Sequence, residues 1–475
     1  MSASEFQNLF ESSPRYRRWF KAWWEQDFST SGRKASLQRH PQIQRSNFAG
    51  REWPAGWTPP HDLKGNPNPS FQPVNQTIIQ QYAWQYYRSD LNGCFIEVPN
   101  LDALLSYTAE LEWCAFTAAL SGAIGQRSIS LSNSFFAKGL ATSVSGNGID
   151  LNISSATILG SASVHLPRNS KYQASSTYID GDAAFRGEDL TGQCDRLFVR
   201  GTLEVNGGLS AIGLKSGNIS IVQPNSRSGN VTIYLSKSKV KNVKIAGSYN
   251  AVSFANCQAE DVSVLLNGAK KTDLTHLKAS SLVVYGPIQE GDFSSSIISG
   301  GFTLRNVTGK SITLNDMRIS GGLIVHDVEI IDLFMDRINV AGQTIFSKNK
   351  FSDNFFSRSS EFLSLASFSR CAFPGGLNLS GTKFLRGADF RTGSGSDVAT
   401  DPIYSQVGEA DFSGVLFGSD DSEVCANFDG RKFPRSGELR GSQLQWDPEI
   451  FWLQVSREYE LQRGGFQDHS NPNFL

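Results

Sequence analysis

The chain of 475 residues is poor in the residue patterns that usually mark a chemistry. Its six cysteines (Cys94, Cys114, Cys194, Cys257, Cys371, Cys425) include no CxxC pair and no framework spacing, so they read as small buried side chains in a reducing compartment. The six histidines stand apart, with no HxxxH or HExxH spacing, and neither a metal nor a cofactor is expected. No GxSxG elbow marks a nucleophile. No run of 18 apolar residues occurs, and the opening MSASEFQNLF lacks the charged and apolar regions of a leader, which sets the expectation of a cytoplasmic protein. Charge of either sign is missing as an excess: 44 Lys and Arg face 45 Asp and Glu, which excludes a globally basic or acidic surface. Tryptophan is absent from some 330 central residues, since seven of the nine lie between Trp19 and Trp113 and the others are Trp446 and Trp452. The middle is therefore built by a different rule from the ends.

Glycine (44) and phenylalanine (32) are abundant, and the apolar residues are periodic. Pairs with one residue between them, the alternation of a strand, fall at Ile219/Ile221, Val243/Ile245, Val262/Val264, Leu282/Val284, Phe302/Leu304 and Leu323/Val325. After one longer step they recur every 19, 20, 20 and 21 residues. Ile-Ser-Gly-Gly appears at Ile298 and again at Ile319, and Val340-Ala341-Gly342 continues it. A finer beat of five joins Ile288, Phe293 and Ile298, then Phe346, Phe351 and Phe356, then Leu363, Phe368 and Phe373. Four fives make twenty, so both periods describe a coil with four short sides. Steps of six (Phe373 to Leu379) and seven (Phe356 to Leu363) imply bulged corners or a more triangular section. Coil corners at which glycine supplies a positive φ account for Gly300-Gly301, Gly321-Gly322 and Gly375-Gly376. A phosphate loop does not: the residue five before Gly309-Lys310-Ser311 is Leu304, a periodic strand position.

Within this pattern Ala388-Asp389-Phe390, Ala410-Asp411-Phe412-Ser413-Gly414 and Ala426-Asn427-Phe428-Asp429-Gly430 resemble the A(D/N)(L/F)xx unit of pentapeptide-repeat proteins. The resemblance implies an all-β solenoid, a right-handed quadrilateral parallel β-helix of about 20 to 21 residues per coil. The small residue and the large one would both point inward, and the Asp or Asn between them would bond turn backbone. Clear units sit near residues 387–433, and residues 130–340 match a looser coil of the same length.

Three regions follow: 1–125, mainly helical with a polar linker at 29–76; 126–440, a solenoid of about 15 coils; and 441–475, a capping helix and tail. Open solenoid ends expose unpaired strand edges and call for covers. Ser13-Pro14 opens a helix whose Tyr16, Trp19, Phe20, Trp23 and Trp24 share one face. Further helices are expected over Tyr82 to Arg88 and Leu101 to Leu120, and one opens at Asp447-Pro448 to run through Phe451, Val455 and Tyr459.

Two candidate sites stand out. The first is the basic aromatic helix: Arg15, Arg17, Arg18, Trp19, Lys21, Trp23 and Trp24, which either buries its stripe as a cap, meets a protein partner, or lies on a membrane. Residues 1–64 hold ten Lys and Arg against six Asp and Glu, and Arg33, Lys34, Arg39, Arg45 and Arg51 are compatible with phosphate contacts of a nucleic acid. The second is acidic: Asp180, Asp182, Glu188, Asp189 and Asp195, with Asp420, Asp421 and Glu423 later, which would serve glycan cleavage only at glycosidase separations. The expectation is a non-enzymatic scaffold that binds another macromolecule, a protein first, through its sides or terminal helices. Alternatives are a polysaccharide-binding or cleaving β-helix of the tailspike kind and a membrane-surface adaptor. Some pentapeptide-repeat proteins imitate DNA toward topoisomerase, and the balanced charge here does not match that activity.

Overall fold

Alternation of apolar and polar residues over two to seventeen positions makes strands, and glycine and short polar residues between them make corners. In the computed structural model the described residues are 1–26, 46–48, 51–53, 58–77, 91–100, 104, 111–124, 128–144, 148–223, 231–392, 404, 407–418, 426–428 and 431. They fall into two units, Met1–Arg318 and Ile319–Leu475. Each is a parallel β-solenoid, and the described residues make about 13 turns in all. Every member of the apolar pairs at Ile219/Ile221, Val243/Ile245, Val262/Val264, Leu282/Val284, Phe302/Leu304 and Leu323/Val325 is buried.

In the first unit one side of each coil is a short strand whose first residue faces out and second faces in. These are β1 (Phe95–Ile96), β2 (Ala115–Phe116), β3 (Phe135–Phe136), β4 (Thr157–Ile158) and β5 (Tyr178–Ile179), followed by the starts of β6 (Phe198–Ile212), β7 (Lys215–Val222) and β8 (Lys239–Ala255). Gln258 bridges β8 to β9 (Lys278–Ala279), which pairs with β10 (Ile297–Ile298). The register stacks one outward column: Phe95, Ala115, Phe135, Thr157, Tyr178, Phe198, Lys215, Lys239, Gln258, Lys278 and Ile297. Beside it runs a column of left-handed corners that includes Asn133, Ser155, Ser176, Arg196, Gly213, Asn256 and His276. Their N–H groups donate to the next rung, as Asn133 does to the Ser154 carbonyl and His276 to that of Ser294, which offsets the strain of a positive φ.

The glycine pairs have a different role from the one expected. None of Gly300, Gly301, Gly321, Gly322, Gly375 and Gly376 lies in the left-handed region. They are places of close approach: a Cβ on Gly300 would sit 2.5 Å from the Ser280 carbonyl oxygen, and one on Gly342 2.5 Å from Gly321 carbonyl atoms. Backbone stacks on backbone there, and glycine leaves the room.

In the second unit, the inward residues Ile319, Val325, Ile330, Met335 and Val340 follow steps of six, five, five and five, with a second buried residue (Leu323, Val328, Leu333 and Ile338) two places before each of the last four. Phe351, Ser357, Phe362, Phe368, Phe373, Leu379 and Phe384 continue with alternating sixes and fives. The beat expected at Phe356 and Leu363 is corrected, since Phe355 and Ser357 face in and the register shifts between Ile330/Asp332 and Phe351/Asn354. Inward phenylalanines stack in register: Phe346, Phe368, Phe390 and Phe428 at 4.9, 4.6 and 4.8 Å. Asp389 and Asp411 accept from the N–H two residues on, the turn-bonding role expected of that position. At the far end the buried Arg431 guanidinium donates to the carbonyls of Phe368, Cys371, Phe390 and Tyr404.

Other expectations shift as well. The solenoid begins before residue 126: Val74 already bridges to Ile96, and β2 replaces the end of the helix expected over Leu101 to Leu120. Parts of the expected linker are structured, with Ser46–Phe48 antiparallel to Arg51–Trp53 and with His61, Asn68 and Val74 buried. The helix at Tyr82 to Arg88, the cations Arg33, Lys34, Arg39 and Arg45, the cluster Asp420, Asp421 and Glu423, and the helix from Asp447 lie outside the described residues.

Candidate functional site

The N-terminal segment forms two helices. α1 (Ala3–Ser12) opens on a capping box of Ser2 and Glu5, and α2 (Pro14–Trp24) opens on Ser13, whose hydroxyl accepts from the Tyr16 N–H. α2 buries its aromatic stripe against the outward column along the side of the solenoid. Trp23 meets Phe95 at 5.0 Å, Trp19 meets Phe95 and Phe135, and Tyr16 meets Phe135 at 4.9 Å. The Trp23 indole donates to the Gly93 carbonyl and that of Trp19 to the Asn133 carbonyl, corners two rungs apart. The helix thus spans rungs as a strap. Tyr16 bonds His61 at 3.0 Å, and burial pushes the tyrosine hydroxyl well up and His61 down.

The remaining predicted residues of this helix divide. Arg17 donates to the Phe10 and Glu11 carbonyls and so closes the C-terminus of α1. Arg15 lies 4.2 Å over the Tyr178 ring. Arg18 and Lys21 are exposed, and Trp24 is half-buried beside Phe20 and Trp23.

The acidic residues are not brought together. Asp180 accepts from the Tyr178 hydroxyl and pairs with Arg200 at 3.5 Å, and Asp182 accepts from the Thr202 N–H at 2.7 Å. Glu188 and Asp189 lie on another corner beside Arg168. Asp195 sits in the turn before the left-handed Arg196 and accepts from the Ile212 N–H. Each carboxylate closes a turn or an ion pair. Among the described residues no cluster of three or more His, Cys, Asp or Glu side chains could hold a metal, and no helix is long and apolar enough to cross a membrane.

The site that the sequence reading missed lies on the first unit, in the same outward column that seats α2. Past Tyr178 the column is open and lines a groove of about 740 Å³ running from Phe198 to Ile297 and Ser299. Tyr178 and Phe198 stack at 5.0 Å at its head. Beyond them stand Lys215, Lys239 and Lys278, with Lys241 and Arg200 at the rim; these five cations share the lining with one carboxylate, Glu260. Lys215, Lys239, Gln258 and Lys278 are all exposed, on successive rungs about 4.8 Å apart. None of the four lysines makes an ion pair among the described residues.

Several stacked rungs oppose unlike charges, as in Arg186–Glu204 at 2.7 Å, Lys350–Glu329 at 2.9 Å and the two-bond pair Arg358–Asp336. Lys215 directly over Lys239 is the reverse arrangement, and like charges opposite one another destabilise a sheet. A signal was present: Lys215, Lys239, Gln258 and Lys278 each stand four residues before a periodic apolar residue, namely Ile219, Val243, Val262 and Leu282. No family model, no curated protein and no solved structure matches the chain.

Proposed function

We propose that the protein is a non-enzymatic binding protein that holds an anionic macromolecule along the side of its first unit, in the groove between Phe198 and Ile297. The observation that carries this reading is the groove-lining column of Lys215, Lys239 and Lys278, in which Lys215 stacks directly on Lys239 and none of the three makes an ion pair among the described residues. A column of like charge costs stability unless an anion lies across it. A partner protein is the first candidate. The terminal helix is not the docking element of this reading, because Trp19 and Trp23 are spent on the chain's own side. The coil itself reads as the four-sided pentapeptide-repeat type, supported by the inward pairs at steps of five and six and by the turn bonds of Asp389 and Asp411. The buried thiols of Cys194, Cys257 and Cys371 agree with a reducing, cytoplasmic setting.

The test is affinity capture from a cell extract with the wild-type chain and with the triple variant Lys215→Glu, Lys239→Glu, Lys278→Glu. Loss of a specifically bound macromolecule in the variant, with its circular dichroism unchanged, is the expected result. Identical bound material in both would remove the groove from the function.

A further inference from the structure

Resting on the reading of the groove as an anion-binding site, we infer that its occupant is an acidic amphipathic α-helix of a partner protein. Two independent features select a helix of that charge. The first is continuity: the outward column from Phe95 to Tyr178 and the column from Phe198 to Ile297 are one register on one side of the solenoid, and the upper part is already a helix seat. α2 lies along it with Trp23 against Phe95, Tyr16 against Phe135 and Arg15 over Tyr178, so its N-terminus points toward the open groove. A partner helix placed on the open stretch continues the line of α2.

The second feature is the change of lining. Where α2 sits the column is aromatic and small; where the groove is open it carries lysine between an aromatic residue at one end and the exposed Ile297 at the other. The matching ligand is acidic in its middle and apolar at its ends. Five steps between the six rungs from Phe198 to Ile297 span about 24 Å, the length of a helix of about 16 residues. One rung of about 4.8 Å falls between the i to i+3 rise of about 4.5 Å and the i to i+4 rise of about 6 Å, the two spacings that together keep one helix face on a line. Carboxylates at i, i+4 and i+11, which share one helix face, therefore come within side-chain reach of Lys215, Lys239 and Lys278, with apolar residues near i−3 and i+14 meeting Phe198 and Ile297. A second copy of this chain's α2 is the wrong ligand, because Arg15, Arg17, Arg18 and Lys21 make that helix basic.

The experiment measures fluorescence anisotropy with the full chain and three probes. They are an 18-residue helix-forming peptide with glutamate at i, i+4 and i+11 and leucine at its ends, i−3 and i+14, the same peptide with two mid-sequence prolines and unchanged charge, and polygalacturonate oligomers. The helix-forming peptide should bind at least tenfold more tightly than either competitor. Lys239→Glu should weaken it at least tenfold, Lys239→Ala less, and added salt should weaken it progressively. If the proline peptide or polygalacturonate binds as well and Lys239→Glu abolishes that binding, the helix inference falls and the anionic groove stands. If no probe binds and the triple lysine variant captures the same material as wild type, both fall.

Discussion

Truncating Trp23 to alanine should release α2 from the side of the solenoid without unfolding the coils. Trp23 is fully buried; its ring packs on Trp19, Phe20 and Phe95, and its indole N–H donates to the Gly93 carbonyl at 3.0 Å. A buried tryptophan removes about 200 Å² of apolar surface from water, and its truncation in a packed site costs about 3–5 kcal/mol, including a cavity. A helix of 11 residues has little stability of its own, so the loss falls on docking. The assay is limited trypsinolysis at Arg15, Arg17 and Arg18, read by mass spectrometry under conditions in which cleavage follows the population of the open state. A loss of about 3 kcal/mol raises that population about a hundredfold, at one factor of ten per 1.4 kcal/mol. Trp24→Ala, at a half-buried position, should raise cleavage far less. Equal effects of the two substitutions, or none from Trp23→Ala, would refute the strap.

Four further outcomes follow from particular contacts. Gly342→Ala forces a methyl against the Gly321 carbonyl and should lower stability in urea by about 1–3 kcal/mol, whereas Gly213→Asn, at an open left-handed corner where other rungs carry asparagine, should change it by less than about 1 kcal/mol. Burial raises the Asp336 carboxyl, but its bonds to Arg358 outweigh this and hold it below its ordinary value of 3.8. Its contribution is therefore full above that value and lost as pH falls through the folded one, so wild type should lose its advantage over Asp336→Asn as pH falls below about 4 in acid titrations followed by circular dichroism. Arg431→Met leaves four carbonyls without their donor and should cost the last coil about 3 kcal/mol, seen as faster labelling of Cys371, whose thiol is buried and pushed up to about 11; Arg431→Lys should not restore protection, lacking the planar fork. Lys239→Glu should raise the unfolding free energy of the free protein, read from urea titrations, by about 0.2–1 kcal/mol, because it converts a like-charge stack into an opposite pair.

The core of the fold was legible because it obeys one constraint. A residue facing into a coil has to be apolar and has to recur each time the chain comes round, and Ile219, Val243, Val262 and Leu282 do both. Choices between adjacent residues were not legible: nothing in Phe355-Phe356 says which ring faces in, and the small buried Ser357 hides the beat. The stretch from Leu101 to Leu120 reads as a helix by propensity, yet Leu111, Cys114 and Phe116 satisfy the inward spacing of a coil equally well, and neighbouring rungs decide. The glycines were legible as corners and misread in cause, because a φ and a close approach leave the same mark in one sequence. Tyr16, Trp19 and Trp23 announced a buried face, but only the register of Phe95, Ala115 and Phe135 shows that they cover a side.

The groove escaped notice for a reason that bears on its use. Apolar periodicity is read as structure, and lysines on the polar side of a strand are read as solubility. A solenoid makes the second reading unsafe, since residues one coil apart in sequence stand about 4.8 Å apart in space. A lysine that recurs at the coil period is then part of a line of charge. Along the first unit that line begins where the column stops seating α2: Phe95, Phe135 and Tyr178 meet the chain's own helix, while Lys215, Lys239 and Lys278 line the groove and make no ion pair among the described residues. One side of the first unit is thus covered by α2 along one stretch and open along the next. The closed half shows what shape the side accepts, and the lysines of the open half set the charge of what it would accept next.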